Sequence, residues 1–268
     1  MRVARIELDN GAVTWAVQQA DGTLHRASGD LLEGGLMPTH EAVTPVRWLP
    51  PVAPRVIMCI GRNYAAHAAE GGAPPPDYPI LFMKNLSAAI GHEEPIRLPK
   101  VCDDEVDFEG ELVVVIGKQA SSVSKASALE YVLGYTIGHD VSARIWQEKK
   151  GGSQWCRGKS FDTFAPLGPV LVTADELPNL NTLSVRTVLN GKEVQHGNTS
   201  NMIFDVATLV SFLSEDTTLL PGTVIMTGTP EGIGWARQPK LTLKPGDVVT
   251  VEIEGIGCLR NVVMAAQE

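Results

Sequence analysis

The stretch from residue 105 to residue 118 constrains the fold of this chain more than any other. Leu112 to Ile116 is a short apolar run rich in valine, a pattern typical of a buried strand. Glu109 and Glu111 lie two residues apart at the start of this run. Because side chains alternate between the two faces of a strand, both carboxylates are expected to point the same way. Gly110 between them has no side chain and lets another group approach closely.

The acidic residues around this strand allow two interpretations. Two carboxylates at the start of an apolar strand are costly to bury unless a cation compensates them, and a hard divalent cation is the natural candidate. The alternative is a solvated acidic loop, which fits Asp103, Asp104, Glu105 and Asp107. Asp107 also shares the predicted face of the two glutamates, so spacing alone does not exclude it as a ligand.

Strand patterns outnumber helical patterns along the chain. Helical spacing predicts three helices, over 62–70, 124–133 and 203–213, and the second contains a capping box of Ser127 and Glu130. Because helices are too few for regular β–α–β winding, we predict a β-rich α+β fold with a mixed sheet. The predicted strands span 1–8, 12–17, 56–60, 80–83, 112–116, 135–137, 185–189, 192–195, 223–227, 248–253 and 259–263.

The first 54 residues are predicted to form a small N-terminal β domain. Residues 1–24 alternate as a hairpin with a short continuation. Residues 27–54 contain five prolines and are predicted to be a connector. The boundary near residue 54 leaves 55–268 as one large domain.

Composition argues against several classes of protein. The net charge of −9 is opposite to that of a general nucleic-acid surface. The four cysteines are far apart and form no CxxC, which excludes a disulfide framework and fits a reducing compartment. No apolar run approaches the ~18 residues of a membrane span, and no signal-peptide core is recognisable. We therefore expect a soluble cytoplasmic protein without a nucleic-acid or membrane partner.

His67 and Glu70 have the spacing of neighbours on one face of a helix. A carboxylate beside an imidazole holds its tautomer and raises its basicity, as a general base requires. Gly71, Gly72 and the prolines that follow would let this short helix act as a lid. An exposed helical pair without a role is the alternative on this spacing.

Asp140, which follows the predicted strand 135–137, is a candidate third ligand beside Glu109 and Glu111. Such an all-oxygen set suits Mg²⁺ or Mn²⁺, with Ca²⁺ as a further candidate, and does not suit zinc. His139 is expected to face the other side of the strand and is predicted to be structural. Three ligands on an octahedral ion leave positions for a chelating substrate and water.

Two lysines and one loop are candidates for binding negative charge. Lys159 lies among small and apolar residues and would stabilise an oxyanion or enolate, and Lys84 follows a strand; a surface lysine is the alternative for each. The loop 228–232 would present Thr229 and backbone N–H groups to a carboxylate. The missing GxxxxGK[ST] spacing argues against phosphoryl transfer. A non-catalytic metal-stabilised module would leave His67 without a role.

Five motifs resemble, in this order along the chain, those of the fumarylacetoacetate hydrolase family. The resemblance covers about residues 55–264 and implies that family's mixed β-sandwich roll as the catalytic domain, 55–268. The motifs are Ile60-Gly61-Arg62-Asn63-Tyr64 with His67 and Glu70, Asp107-Phe108-Glu109-Gly110-Glu111-Leu112, Gly138-His139-Asp140-Val141-Ser142-Ala143-Arg144, Lys159-Ser160-Phe161-Asp162 and Thr227-Gly228-Thr229-Pro230.

The resemblance also implies a role for each matching residue. The family's namesake has a further aspartate ligand where this chain has Gly61 and Arg62. That difference indicates the branch of acylpyruvases, decarboxylases and isomerases. By this resemblance the metal ligands are Glu109, Glu111 and Asp140, the lid dyad is His67 and Glu70, the active-site lysine is Lys159, and the substrate contacts are Arg62, Tyr64, Lys84, Gln147 and Thr229.

The function implied is divalent-metal-dependent hydrolysis of a C–C bond in a small 2,4-dioxo acid of the acylpyruvate or fumarylpyruvate type. In this mechanism the dyad activates a water, and the metal and Lys159 stabilise the departing enolate. The alternative is decarboxylation of an oxaloacetate-type acid or isomerisation of a 2-hydroxymuconate-type acid by the same metal-enolate chemistry. The resemblance further implies a homodimer and a role in aromatic catabolism.

Overall fold

The structure is a computed structural model that describes residues 1–266. Strands dominate it. The first nine are β1 (Arg2–Glu7), β2 (Val13–Gln18), β3 (Leu24–Asp30), β4 (Gly35–Val43), β5 (Arg47–Leu49), β6 (Val56–Gly61), β7 (Ile80–Lys84), β8 (Ala89–Ile90) and β9 (Ile96–Arg97). The others are β10 (Val106–Asp107), β11 (Gly110–Ile116), β12 (Ala120–Ser121), β13 (Val132–His139), β14 (Ser142–Ala143), β15 (Ala165–Thr173), β16 (Ser184–Leu189), β17 (Lys192–Asn198), β18 (Thr218–Leu219), β19 (Thr223–Met226), β20 (Val248–Ile253) and β21 (Gly257–Met264).

The helices of the described residues are short. The α-helices are α1 (Ala65–Glu70), α2 (Cys156–Lys159) and α3 (Val206–Leu213). A π-helical segment covers Trp146–Lys150. The 3₁₀ helices cover Leu86–Ala88, Ala128–Tyr131, Ala174–Glu176 and Thr199–Asn201.

Two sheets make up most of the molecule. The large sheet runs in the order β4–β3–β2–β1–β15–β13–β11–β19–β6–β7, with β5 paired to β1 and β8 paired to β15. The second sheet runs in the order β17–β16–β20–β21–β9. Most neighbours are antiparallel, while β19 with β6, β15 with β8 and β21 with β9 are parallel. This mixed, strand-rich architecture confirms the predicted α+β fold.

The central strand β11 is buried along its whole length. Leu112, Val114 and Ile116 contribute to an apolar cluster that also takes in the buried side chains of α3, whereas Val113 and Val115 belong to a second cluster. The period of two therefore places apolar side chains on both faces of the strand. Each such side chain contributes about 1.5–3 kcal/mol when fully buried.

Gly110 marks a close approach between the two sheets. A Cβ atom at this residue would lie 2.3 Å from Thr187 Oγ1 on β16 and 2.9 Å from Val251 Cγ1 on β20. Real Cβ atoms do not approach other atoms this closely, so a side chain at residue 110 would force the sheets apart. The close approach predicted at this glycine is confirmed, and the group that approaches is the second sheet.

The N-terminal strands extend the large sheet. β1 pairs antiparallel with β15, with Arg2 opposite Val172 and Val3 opposite Leu171. The division of the chain at residue 54 stays a prediction.

The predicted connector over residues 27–54 is wrong, because this segment contains the end of β3 and the whole of β4 and β5. β4 is the last strand of the sheet path, and Pro38 pairs there with Ala27. Proline is tolerated on such an outer strand, since its missing N–H need not donate to a further neighbour. Because of its proline, the sequence of β4 was predicted to be part of a connector.

The predicted helix over 124–133 is also wrong. Only Ala128–Tyr131 forms a 3₁₀ turn, and Ser127 makes no capping bond through its side chain. From Val132 onward the chain pairs with β11, so the expected helical residues enter β13. Strand pairing outweighs the weak helical spacing here.

The predicted hairpin of the second sheet is confirmed. β16 and β17 are joined by Asn190 and Gly191, both with positive φ, at 52° and 79°. Positive φ at both central residues defines the type I′ turn that Asn-Gly favours.

Among residues 1–266, no helix has the length and apolar character needed to cross a membrane. The cytoplasmic location stays a prediction.

Candidate metal centre and active site

Three carboxylates converge where β11 begins and β13 ends. The two strands are antiparallel, and Gly110 lies opposite His139, so Asp140 comes directly beside the two glutamates. The Asp140 backbone N–H donates to the carbonyl of Glu109 at 2.8 Å. One carboxylate oxygen each from Glu109, Glu111 and Asp140 lies within 4.8 Å of the others. This geometry is that of a candidate metal centre, and it brings together the three predicted ligands.

Lysine and arginine side chains already contact two of the carboxylates. Lys159 Nζ donates to Glu109 Oε2 and to Asp140 Oδ2, both at 2.8 Å. Arg144 Nη2 lies 2.7 Å from Glu109 Oε1. The side chains of both cations and of both carboxylates that they contact are buried. Burial by itself would lower the pKa of Lys159, but Asp140 and Glu109 raise it above its ordinary value, so the ammonium stays charged.

A third cation, Lys84, lies against Asp140 Oδ1. Lys84 Nζ lies 2.7 Å from it, but donates to the carbonyls of Val141, Lys159 and Phe164 at 3.1, 2.6 and 2.8 Å. Those carbonyls can take all three ammonium protons, so Asp140 Oδ1 has an ion-pair partner in Lys84 but accepts no hydrogen bond among the described residues. A buried carboxylate oxygen without a hydrogen bond is the kind of atom that a metal ion satisfies.

Glu111 has no ion-pair partner among residues 1–266. Its Oε2 accepts a hydrogen bond from Gly228 N at 2.8 Å, but within residues 1–266 no lysine or arginine lies within ion-pair distance of it. Burial raises the pKa of Glu111 well above its ordinary value, and Asp140 and Glu109 add to this. For Glu109, burial also acts to raise the pKa, but Lys159 and Arg144 hold it below its ordinary value. A divalent cation would supply the positive charge that balances the Glu111 carboxylate. The all-oxygen donors fit Mg²⁺ or Mn²⁺.

Asp107 is committed to other partners. Its Oδ2 accepts from Arg144 Nε and Nη2 at 2.9 and 2.7 Å and from Trp235 N at 3.0 Å. Its Oδ1 accepts from Gly234 N and Phe108 N at 2.8 and 2.9 Å. With five donors on two oxygens, this carboxylate anchors the 234–235 loop and Arg144 rather than joining the three converging carboxylates.

Asp107→Ala is expected to lower the free energy of unfolding by about 3–5 kcal/mol, because it leaves the buried Arg144 without its main partner. Metal binding should persist, since the three converging carboxylates remain. Chemical denaturation and metal titration calorimetry measure the two effects. Loss of the metal in Asp107→Ala, with retention in Glu111→Ala, would show that the ligand set is misassigned.

The predicted dyad is formed on α1. His67 Nδ1 lies 2.9 Å from Glu70 Oε1, and Glu70 Oε2 accepts from Gly232 N at 2.9 Å. A carboxylate at Nδ1 favours the tautomer with the proton on that nitrogen, which leaves Nε2 as the basic atom. Glu70 thus orients the imidazole and also ties α1 to the loop that follows β19.

A cavity of about 280 Å³ contains this chemistry. Nine of the eleven predicted site residues line it, and Tyr64 and Lys84 do not. Tyr64 is fully buried at the start of α1, and Lys84 lies behind Asp140, so the structure does not support direct substrate contact by either. The predicted residues on the wall are Arg62, His67, Glu70, Glu109, Glu111, Asp140, Gln147, Lys159 and Thr229.

Sequence reasoning did not assign several wall residues. Trp155 is the clearest, because a Cβ atom at Gly61 would lie 2.1 Å from its ring. The guanidinium carbon of Arg62 lies 5.5 Å from the centre of the same ring, within cation–π range. Gly61 before Arg62 was the available signal, since a glycine beside a site residue indicates close approach. The other unassigned wall residues include Phe82, Arg144, Glu148, Ile233 and Trp235.

Comparisons with known proteins identify the family of this chain. The family model described as fumarylacetoacetate (FAA) hydrolase C-terminal matches residues 56–264. A mitochondrial oxaloacetate tautomerase of Xenopus laevis is 47% identical over 211 residues, which cover 79% of this chain and 66% of that protein. A mitochondrial oxaloacetate tautomerase of Bos taurus is 40% identical over 272 residues, or 97% of this chain and 86% of that one.

A solved structure extends the likeness to the whole chain. The 5-carboxymethyl-2-hydroxymuconate delta-isomerase of Mycobacterium smegmatis superposes with a TM-score of 0.85 at 39% identity, covering 99% of this chain and 100% of that one. The match to the family model and the identities to these relatives agree on one assignment. The chain belongs to the fumarylacetoacetate hydrolase family.

Proposed function

We propose that this protein relocates a proton from the carbon next to the carbonyl of a small 2-oxo dicarboxylic acid. The reaction is either keto–enol tautomerisation of an oxaloacetate-type acid or isomerisation of a hydroxymuconate-type acid. The observation that carries the proposal is the convergence of Glu109, Glu111 and Asp140 in one cavity with the dyad and Lys159. The names of the relatives, tautomerases and an isomerase, support proton relocation over C–C hydrolysis.

The carboxylates of Glu109, Glu111 and Asp140 would hold the divalent ion. An Mg²⁺ or Mn²⁺ ion there would polarise the oxygens of a bound 2-oxo acid and stabilise the negative charge that develops on enolisation. His67 would take the proton from carbon through Nε2 and return it at the new position, while Glu70 keeps the proton on Nδ1. Lys159 would stabilise the developing charge from its position beside Glu109 and Asp140.

Arg62 is the candidate for the second carboxylate of the substrate. Its side chain lines the cavity and lies against Trp155, and it forms no ion pair with any carboxylate of the described residues. A guanidinium binds a carboxylate in bidentate fashion. This contact would favour dicarboxylic acids over monocarboxylic 2-oxo acids.

A substrate panel tests the proposal. Oxaloacetate, hydroxymuconate-type dienoates and acylpyruvates would be offered to the purified protein with Mg²⁺, and the change in enol absorbance followed. Faster enol–keto conversion of oxaloacetate, or isomerisation of the dienoates, supports proton relocation. Turnover of acylpyruvates alone, with release of pyruvate, would replace it with C–C hydrolysis.

Chelation is expected to abolish this turnover, and Mg²⁺ or Mn²⁺ to restore it, because no lysine or arginine of the described residues forms an ion pair with Glu111. The same ions should raise the thermal midpoint, since a ligand that binds only the folded state stabilises it. Glu111→Gln should lose both responses, whereas Glu215→Gln at an exposed position should keep them. Full activity after exhaustive removal of metal would contradict the metal centre.

The homodimer, the small 2-oxo acid as the only partner class and the role in aromatic catabolism also stay predictions. A monomer mass by light scattering at micromolar concentration would contradict the dimer.

A further inference from the structure

Gln195 is a buried residue of β17 that does not line the cavity. Its side chain nevertheless contacts both Gly110 of β11 and the loop 228–232. It is 2% exposed. Its Oε1 accepts from Gly110 N at 3.0 Å and from Thr187 Oγ1 at 2.8 Å. Its Nε2 donates to Thr229 Oγ1 and to the carbonyl of Pro230, both at 2.9 Å. The amide thus uses both of its protons and both lone pairs of its oxygen.

The partners fix the orientation of this amide. Exchanging Oε1 and Nε2 would place N–H groups against the Gly110 N–H and an oxygen against the Pro230 carbonyl. Both contacts would be repulsive, and in a buried site the unpaired groups would cost about 1–3 kcal/mol each. Gln195 therefore holds its neighbours in a single arrangement.

Through these contacts Gln195 immobilises both peptide groups at Gly110. It binds the N–H directly, and the Thr229 hydroxyl, which accepts from Gln195, donates to the Gly110 carbonyl at 3.0 Å. Gly110 separates the candidate ligands Glu109 and Glu111, so the direction of both carboxylates depends on its backbone orientation.

The same amide anchors the loop 228–232. On one side of Pro230, the Gly228 N–H donates to Glu111 Oε2 at 2.8 Å, and on the other side the Gly232 N–H donates to Glu70 Oε2 at 2.9 Å. The loop therefore contacts both the metal carboxylates and the dyad. A shift of Pro230 would move both contacts together.

The β16–β17 hairpin packs tightly against this loop. A Cβ atom at Gly197 would lie 2.4 Å from Pro230 Cβ, and one at Gly232 would lie 2.5 Å from the carbonyl oxygen of Val194. Since neither glycine leaves room for a methyl group, the hairpin supports the loop directly. The Gln195 side chain bonds both to β11 and to this loop.

We infer that Gln195 is a positioning residue, which sets the spacing between the metal carboxylates of β11 and the loop that orients Glu70. The inference rests on the proposed metal centre. Gln195 touches neither substrate nor ion and acts through Gly110 and Thr229. Its loss should therefore change metal affinity even though all three ligands remain.

The test compares two buried substitutions by calorimetric titration of the metal-free full chain with Mn²⁺. Gln195→Met keeps the length of the side chain and removes its hydrogen bonds. We expect it to weaken Mn²⁺ binding about 10-fold, the lower end of what residues that orient metal ligands contribute. Val210→Ala, on α3 and buried in the apolar cluster that contains Leu112, is the matched control that lowers stability from outside the β16–β17 hairpin.

Equal Mn²⁺ affinity in Gln195→Met and Val210→Ala, at a similar loss of thermal midpoint, would overturn the inference. If Gln195→Met does not fold, Gln195→Asn keeps the amide but is one methylene too short, and it should show a smaller loss of affinity in the same direction. Unchanged affinity there would overturn the inference too. Calorimetry needs no substrate, so failure of the proposed reaction would be recognised separately, by the substrate panel.

Discussion

Lys159→Met is expected to lower turnover of the 2-oxo acid by roughly 10²–10³-fold, the usual effect of removing one donor that stabilises developing negative charge. The Lys159 ammonium lies on the cavity wall and donates to Glu109 and Asp140. Both carboxylates raise its pKa against the effect of burial, so it is a charged donor and not a base. Enolisation and decarboxylation develop the same negative charge, so both reactions should slow.

The effect of this change on metal binding separates two roles for the lysine. Removing the ammonium leaves Glu109 and Asp140 with more uncompensated charge, so Mn²⁺ affinity should be retained or increase while turnover falls. Lys150→Met is the control, because Lys150 is exposed and packs on Trp146 outside the cavity. If Lys159→Met bound metal poorly and regained turnover at high Mn²⁺ concentration, the lysine would serve only to arrange the ligands.

Part of this site follows from local sequence alone. The period of two predicts that Glu109 and Glu111 share a face, and the three-residue spacing predicts the His67–Glu70 contact. Both predictions depend on geometry within a single element, and the observed contacts of Glu70 and the converging glutamates agree with them.

The rest depends on contacts that local patterns do not encode. Asp140 reaches the glutamates only because Gly110 is in register with His139. Gln195 is 85 residues from Gly110, and nothing in the alternation of β17 distinguishes it from an ordinary buried amide. Asp107 satisfied the face criterion as a ligand, yet Arg144 and two loop amides take its oxygens. Strand register and loop packing determine which partners each of these three side chains contacts.

The same limit explains the two errors in the fold. Pro38 reads as a chain breaker, but on an outer strand its missing N–H costs little, so β4 was not recognised. Residues 124–133 have helical spacing, but Val132 and the residues after it gain a full ladder with β11. Tertiary pairing decided the structure of both segments, and a propensity argument has no access to it.

His67→Ala should distinguish among the reactions that this site could perform. Proton relocation needs a base at carbon, and hydrolysis needs one at water, whereas decarboxylation of oxaloacetate requires only charge stabilisation, since carbon dioxide leaves without proton transfer. We therefore expect tautomerisation, or any hydrolysis, to fall by roughly 10²–10⁴-fold, the usual contribution of a positioned general base. Oxaloacetate decarboxylation should survive better.

The reactions would be measured side by side on the same purified variant at saturating Mg²⁺, with Glu70→Gln as the companion change. Glu70→Gln keeps a side chain that can accept from His67 Nδ1 but removes the charge that stabilises an imidazolium. It should therefore reduce the same reactions as His67→Ala, to a smaller extent. Equal loss of tautomerisation and decarboxylation in His67→Ala would mean that His67 orients the substrate, and proton transfer at Nε2 would have to be assigned elsewhere.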